Sequence, residues 1–189
     1  MSREYELARH GVEVSAPVLA PLGPPSFVGG YAFCSWPFVE VSSDDAEPGA
    51  LADALKCFHD RMTSTSFPVG SVQETARSSL ELARNVVATA AMPQQARTAI
   101  IRPLEEIIVL PPWHSAPVVH GEPQSRNCLV TDTGVILIDL EGAKRAPIEC
   151  DLAFLSPELV ERFWPAHDRE LLQILRADGQ RAGCNRMLA

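Results

Sequence analysis

The chain has 189 residues, enough for one sizeable core or a two-lobed unit. Hydrophobic residues make up 46% and charged residues 21%, the balance of a folded globular protein rather than a disordered one. A net charge of -8 and a pI near 5.1 argue against a nucleic-acid-binding surface, which needs clustered positive charge.

The start, MSREYELARHG, is charged and lacks the apolar centre of a signal peptide. No stretch approaches the roughly 18 uncharged apolar residues of a membrane span. Cys34, Cys57, Cys128, Cys150 and Cys184 are odd in number, widely spaced and free of any CxxC pair. That pattern predicts reduced thiols in a cytoplasmic protein rather than a disulfide framework or a zinc site.

Residues 2–9 read as a short helix, with Gly11 as its C-cap. A Pro-rich extended stretch follows. Residues 31–41, YAFCSWPFVEV, look like a strand with Pro37 marking an edge or a bend. SSDDAEPG is a polar linker whose acidic residues lead into Pro48, a helix-start signal. Helical spacing predicts helices over 50–62, 72–90 and 93–109, with a turn at FPVG 67–70 between the first two and Pro111-Pro112 closing the third. PVVH is a short apolar strand. NCLVTDTGVILIDL then reads as a hairpin around Thr131-Asp132-Thr133-Gly134. Pro147 breaks the chain, CDLAFL begins a helix, and the tail from Pro157 is helical and amphipathic.

The polar chemistry is concentrated in HGEPQSRN, residues 120–127, just before the hairpin. Phosphoryl transfer to a hydroxyl needs a carboxylate to orient that hydroxyl and oxygen ligands to hold Mg²⁺ against the phosphates. Glu122 suits the first role. Asn127 and Asp139 start and end the hairpin, so its fold-back brings them close enough to grip one metal. Asn127 is equally able to cap the turn. Glu141 reads evenly as a second metal contact or a solvated charge.

The ordered set His120-Gly121-Glu122, Asn127, Ile138-Asp139-Leu140-Glu141 and Asp151-Leu152-Ala153 resembles the aminoglycoside phosphotransferase and choline kinase branch of the protein kinase-like fold. Upstream, LADALKCFHD ending near His59 resembles that family's LA-x-LH helix. EYELARHGVEVSAPVL looks like its helix and following strand, where a glutamate pairs with the nucleotide-positioning lysine. The resemblance runs over residues 4–160 and is strongest over 118–155. It implies an α+β, kinase-like fold with a truncated N-terminal lobe and a mainly helical C-terminal lobe carrying the catalytic-loop hairpin. Residues 1–45 would be the remnant of the N-terminal lobe and hinge. Residues 46–189 would be the C-terminal lobe, with catalytic loop 120–127 and metal segment 138–141.

The resemblance implies an ATP- or GTP-dependent phosphotransferase acting on a small hydroxylated molecule, with Mg²⁺ as cofactor and neither nucleic acid nor membrane as partner. Glu122 takes the catalytic-base position, Asn127 and Asp139 the Mg²⁺ positions, and His120 and Asp151 brace the loop. An acidic surface would suit a cationic substrate such as an aminoglycoside. Two departures stand out. Glu122 replaces the usual aspartate, moving the carboxylate by about 1 Å, a displacement able to cost on the order of 10²-fold in rate. Also, the family's phosphate loop and lysine precede its first helix, whereas no lysine precedes Lys56 here. They motivate the alternative of a non-catalytic, degenerate kinase-like domain that binds a partner. A homo-oligomer in which a second copy completes the lobe through the apolar front at 17–41 is a further alternative.

Competing motifs fail. The HxE of a zinc deaminase needs a later PCxxC, which is missing, as are HExxH and GxSxG.

Overall fold

The structure, a computed structural model, describes residues 3–13, 16–63, 69–109 and 116–182. The expected turn residues Phe67 and Pro68 and the helix stop at Pro111-Pro112 lie outside them.

The first helix, α1, spans Arg3–Glu13 and so runs through Gly11 rather than ending there. Gly11 serves a close approach instead. A Cβ at this position would meet the Val18 side chain at 2.5 Å, and the Gly11 carbonyl accepts from Ala16 N–H at 2.7 Å. The chain therefore folds back tightly over the helix end.

The expected strand over 31–41 shrinks to β2, Tyr31–Phe33, paired antiparallel with β1, Ser26–Val28, around Gly29 and Gly30. Both glycines have positive φ, 58° and 85°, which glycine adopts without steric penalty. Every residue of this hairpin is exposed, including Phe27 and Tyr31, and Phe38 beyond it is 95% exposed.

Pro48 opens α2, Pro48–Met62, at a position where its missing N–H costs nothing. Leu51, Leu55, Phe58 and Met62 fall on one face and are buried. Each contributes roughly 1.5–3 kcal/mol of hydrophobic burial. The same core takes in Leu7 and Ala8 of α1, Leu137, Leu152 and Trp164.

Helix α3, Val72–Arg84, starts with a capping box: Ser71 N–H donates to the Glu74 carboxylate at 2.6 Å, and Glu74 N–H to Ser71 Oγ at 3.2 Å. It stops well before residue 90. The Asn85 side chain accepts from the N–H groups of Val87 and Ala88 at 3.1 Å each, pulling the backbone into a turn. Helix α4, Gln94–Ile108, packs back on α3 through Ala76, Leu80 and Leu104.

Strand β3, Val118–Val119, is buried and pairs antiparallel with β6, Lys144–Arg145, a strand with no counterpart in the sequence reading. The hairpin is as expected: β4, Cys128–Thr131, and β5, Gly134–Leu137, pair with Thr131 opposite Gly134. The tail forms α5, Glu149–Leu152, α6, Pro157–Phe163, and α7, Arg169–Ala182.

Candidate active site

The site is organised by one buried carboxylate. Asp151, on α5, is fully buried. Its Oδ2 accepts from the His120 backbone N–H and its Oδ1 from the Gly121 N–H, each at 2.8 Å. His59 Nε2, at the end of α2, approaches Oδ2 at 2.8 Å as a third donor. Burial pushes the Asp151 carboxyl up, but the hydrogen bond from His59 and the Gly121 amide are among the interactions that outweigh it. The group is held below its ordinary range. One anion thus fixes the loop 120–122 against α2 and α5.

His120 is buried as well. Its Nε2 donates to the Ile138 carbonyl at 2.9 Å, while its Nδ1 accepts a long contact from the Glu122 N–H at 3.4 Å. Those two roles specify the neutral Nε2–H tautomer. Desolvation lowers the His120 pKa, opposed by the nearby Asp151 charge, so the ring stays neutral at pH 7. This ring ties the loop to the strand end that leads into Asp139.

Two glycines let these segments meet. Gly121 has φ 95°, and a Cβ there would run into the Gly142 carbonyl, with the carbonyl carbon at 2.8 Å. Gly142 in turn lies where a Cβ would meet the His120 carbonyl oxygen at 3.3 Å. Gly121→Ala is expected to lose about 2 kcal/mol or more, from the strained φ and the backbone clash together. Urea denaturation checks this; an unchanged midpoint would show that the loop yields at no cost.

Glu122 follows with its side chain 18% exposed, its Oε2 3.4 Å from the Arg126 guanidinium. A 3-10 turn over Ser125–Asn127 then carries the chain to β4. Asn127 is buried and its amide nitrogen donates to the Glu122 carbonyl at 2.9 Å, which leaves Oδ1 as the available donor for a cation. The Asn127 carbonyl accepts from Ile138 N–H at 3.0 Å, so Asp139 is next in chain to Asn127's partner. Asp139 sits in the left-handed region, φ 61° and ψ 62°, the one non-glycine with positive φ among the described residues. That turn exposes its carboxylate. Glu141, in the 3-10 turn Leu140–Gly142, is also exposed.

The donors fit Mg²⁺. No group of three or more His, Cys, Asp or Glu side chains gathers as a metal cage among the described residues. Mg²⁺ does not need one, because it binds through one or two carboxylates plus substrate phosphates and water. Asn127 Oδ1 and the Asp139 carboxylate are the groups that would serve as the protein's ligands in such a site. A cavity of about 350 Å³ opens on the same aspartate, walled by Ala8, Leu19, Trp36, Leu129 and Ile138. On α1, Glu6 pairs with Arg9 at 3.3 Å.

His59 braces the loop as well, although the sequence reading gives it no role beyond its place at the end of the LA-x-LH-like helix. A signal was present. His59 lies four residues from Leu55 and three from Met62, on the buried face of α2, where a polar ring needs a partner. Its partner is 92 positions away. Trp164 packs edge-on against it, with ring centroids 5.8 Å apart.

The loop bracing, the Asn127–Asp139 junction and the cavity lie on one stretch of the fold, at the residues the sequence singled out. In agreement, a sequence model of the phosphotransferase enzyme family, APH, matches residues 3–187, and the chain belongs to that family. Among solved structures it is similar to aminoglycoside phosphotransferase APH(3'')-Id from Streptomyces rimosus, in complex with ADP and streptomycin. The identity is 19% and the TM-score 0.54, over 98% of this chain and 78% of that one. That likeness shows the fold, which is kinase-like with small sheets and a helical body. A comparison with curated protein sequences finds no match. Among the described residues, no helix is long and apolar enough to cross a membrane.

Proposed function

We propose that this chain transfers the γ-phosphoryl group of ATP or GTP to a hydroxyl of a small molecule. The observation that carries the reading is the single constellation built around Asp151, which presents Glu122, Asn127 and Asp139 on adjoining backbone beside an apolar cavity. Apolar walls with a few convergent polar groups suit a nucleotide base and ribose.

Glu122 orients the acceptor hydroxyl and takes its proton. The hydroxyl oxygen bonds to the γ-phosphorus as the bond to the nucleoside diphosphate oxygen breaks. Mg²⁺ bound by Asn127 and Asp139 would neutralise charge on the phosphates. His120 and Asp151 hold the loop. Residues 1–45 supply the nucleotide-side wall, through Ala8, Leu19 and Trp36. Residues 46–189 carry the chemistry.

Four cysteines, Cys34, Cys57, Cys128 and Cys150, are free thiols, which supports a cytoplasmic protein. The exposed hairpin β1–β2 supports self-association as a homo-oligomer.

The test is the melting temperature with Mg²⁺ alone and with Mg²⁺ plus ATP or GTP. Nucleotide at about 100 times its dissociation constant is expected to add roughly 2.7 kcal/mol of stability. A shift that needs both metal and nucleotide supports the reading. No shift at millimolar nucleotide favours the non-catalytic alternative, a kinase-like domain that binds a partner.

A further inference from the structure

The hairpin β1–β2 forms a sheet of its own, with two strands and both faces open. None of its residues joins the apolar cores of the described chain. A lone two-stranded ribbon is marginal in water and gains stability from further strands or a covered face. This ribbon is also apolar. Leu22, whose N–H donates to the Ser35 carbonyl at 2.9 Å, extends it, and Phe27, Val28, Tyr31 and Phe33 lie on it, all five exposed. With about 150–250 Å² carried by each aromatic side chain, these five leave on the order of 700 Å² open to water. That exceeds the roughly 300–600 Å² of the largest apolar patch on an ordinary monomer. It is close to the roughly 800 Å² that each partner gives to a standard interface.

The backbone shows which edge is open. Gly29 and Gly30, at φ 58° and 85°, fit a two-residue type I′ turn. In such a hairpin the pair flanking the turn, Val28 and Tyr31, exchanges both ladder bonds. The next pair, Phe27 and Ala32, turns its N–H and C=O outward. Ala32 therefore offers one donor and one acceptor along the free edge of β2, beside a small side chain. The edge of β1 is guarded, because Pro24 and Pro25 precede Ser26 and neither has an N–H to give. The β2 edge has no such guard before Pro37. Nor does any charged residue stand between Pro17 and Val39, although charges are a common block to edge pairing.

We propose that the β2 edge is a dimer interface and that its occupant is β2 of a second copy of this chain. The two β2 strands meet antiparallel about a two-fold axis at Ala32, and each Ala32 donates its N–H to the carbonyl of the other. That register sets Tyr31 of each copy opposite Phe33 of the other, on the face that also carries Val28. The resulting four-stranded sheet ends at two Pro-guarded β1 edges, so assembly stops at two chains. This dimer rests on the self-association proposed above, to which it gives an edge, a symmetry and a register, and it is independent of phosphoryl transfer.

Sedimentation velocity of the full chain at tens of micromolar tests it. The unsubstituted protein is expected at twice the 20.6 kDa chain mass, and Ala32→Pro at the single mass. Proline is tolerated on an edge strand where the N–H it replaces faces solvent, so the hairpin should survive while the bonds to the second copy are lost. Tyr31→Lys, at an exposed position, is also expected at the single mass, because it seats a charge against apolar Phe33. Circular dichroism verifies that both variants keep the fold. A single mass for the unsubstituted chain overturns this dimer and the self-association with it. A dimer that persists in either folded variant, or an assembly larger than two chains, leaves self-association standing and overturns this interface.

Discussion

Asp151→Ala is expected to destabilise the protein by about 3–5 kcal/mol, because it strips the partner from several buried donors at once. The amides of His120 and Gly121 and the His59 ring would all lose a 2.8 Å bond in a site closed to water. Asp151→Asn keeps the shape and one acceptor oxygen, so its cost is expected to be smaller, about 2 kcal/mol. Chemical denaturation at pH 7 reads both. The His59→Ala change should not add to Asp151→Ala. The two groups share one bond, and the double variant should cost less than the sum of the singles.

The pH dependence has a definite sign. The folded Asp151 carboxyl is held below its ordinary value. Its stabilisation is therefore complete above the unfolded value of about 3.9 and is lost as pH falls through the lower folded value. Asp151→Asn should flatten stability against pH on that acid limb while leaving the neutral range parallel to the parent. A parent curve with no acid limb that Asp151→Asn removes would mean that the carboxylate does not hold the loop.

Different physical origins separate what could be read from sequence and what could not. The α2 helix and the β4–β5 hairpin were legible because their signals are local. Leucines recur at helical spacing behind Pro48, and two apolar runs flank a four-residue turn. The spacing from His120 to Asp139 was legible for the same reason. The end of α3 was misread because a side-chain bond from Asn85 outcompeted helical periodicity that ran on through Val86 and Val87. Gly11 looked like a helix stop, yet its role is a contact with Val18, which tertiary packing decides. Strand β6 exists only because β3 lies beside it. His59 and Asp151 are joined across 92 positions, and no local pattern encodes such a bond.

Asp139→Asn is the substitution that separates chemistry from folding most cleanly. The residue sits at φ 61° in the left-handed region, where asparagine is among the few side chains tolerated, so the turn should survive. Its side chain makes no capping bond within that turn, and the carboxylate is exposed, so stability should change by less than about 0.5 kcal/mol. What the change removes is a negative charge; on the proposed reading this carboxylate is the stronger of the two ligands, the other being Asn127, that would hold Mg²⁺. Metal-assisted charge stabilisation is worth several kcal/mol in phosphoryl transfer, so turnover should fall by about 10³-fold or more. The Mg²⁺-dependent melting shift with nucleotide should disappear as well. Asp139→Ala provides the contrast: it should lose activity equally and also cost about 1–2 kcal/mol for a side chain ill-suited to the left-handed turn. Nucleotide turnover and thermal melting of the two variants side by side would decide the matter. Unchanged turnover in Asp139→Asn would remove this residue from the metal site, whatever the stability data showed.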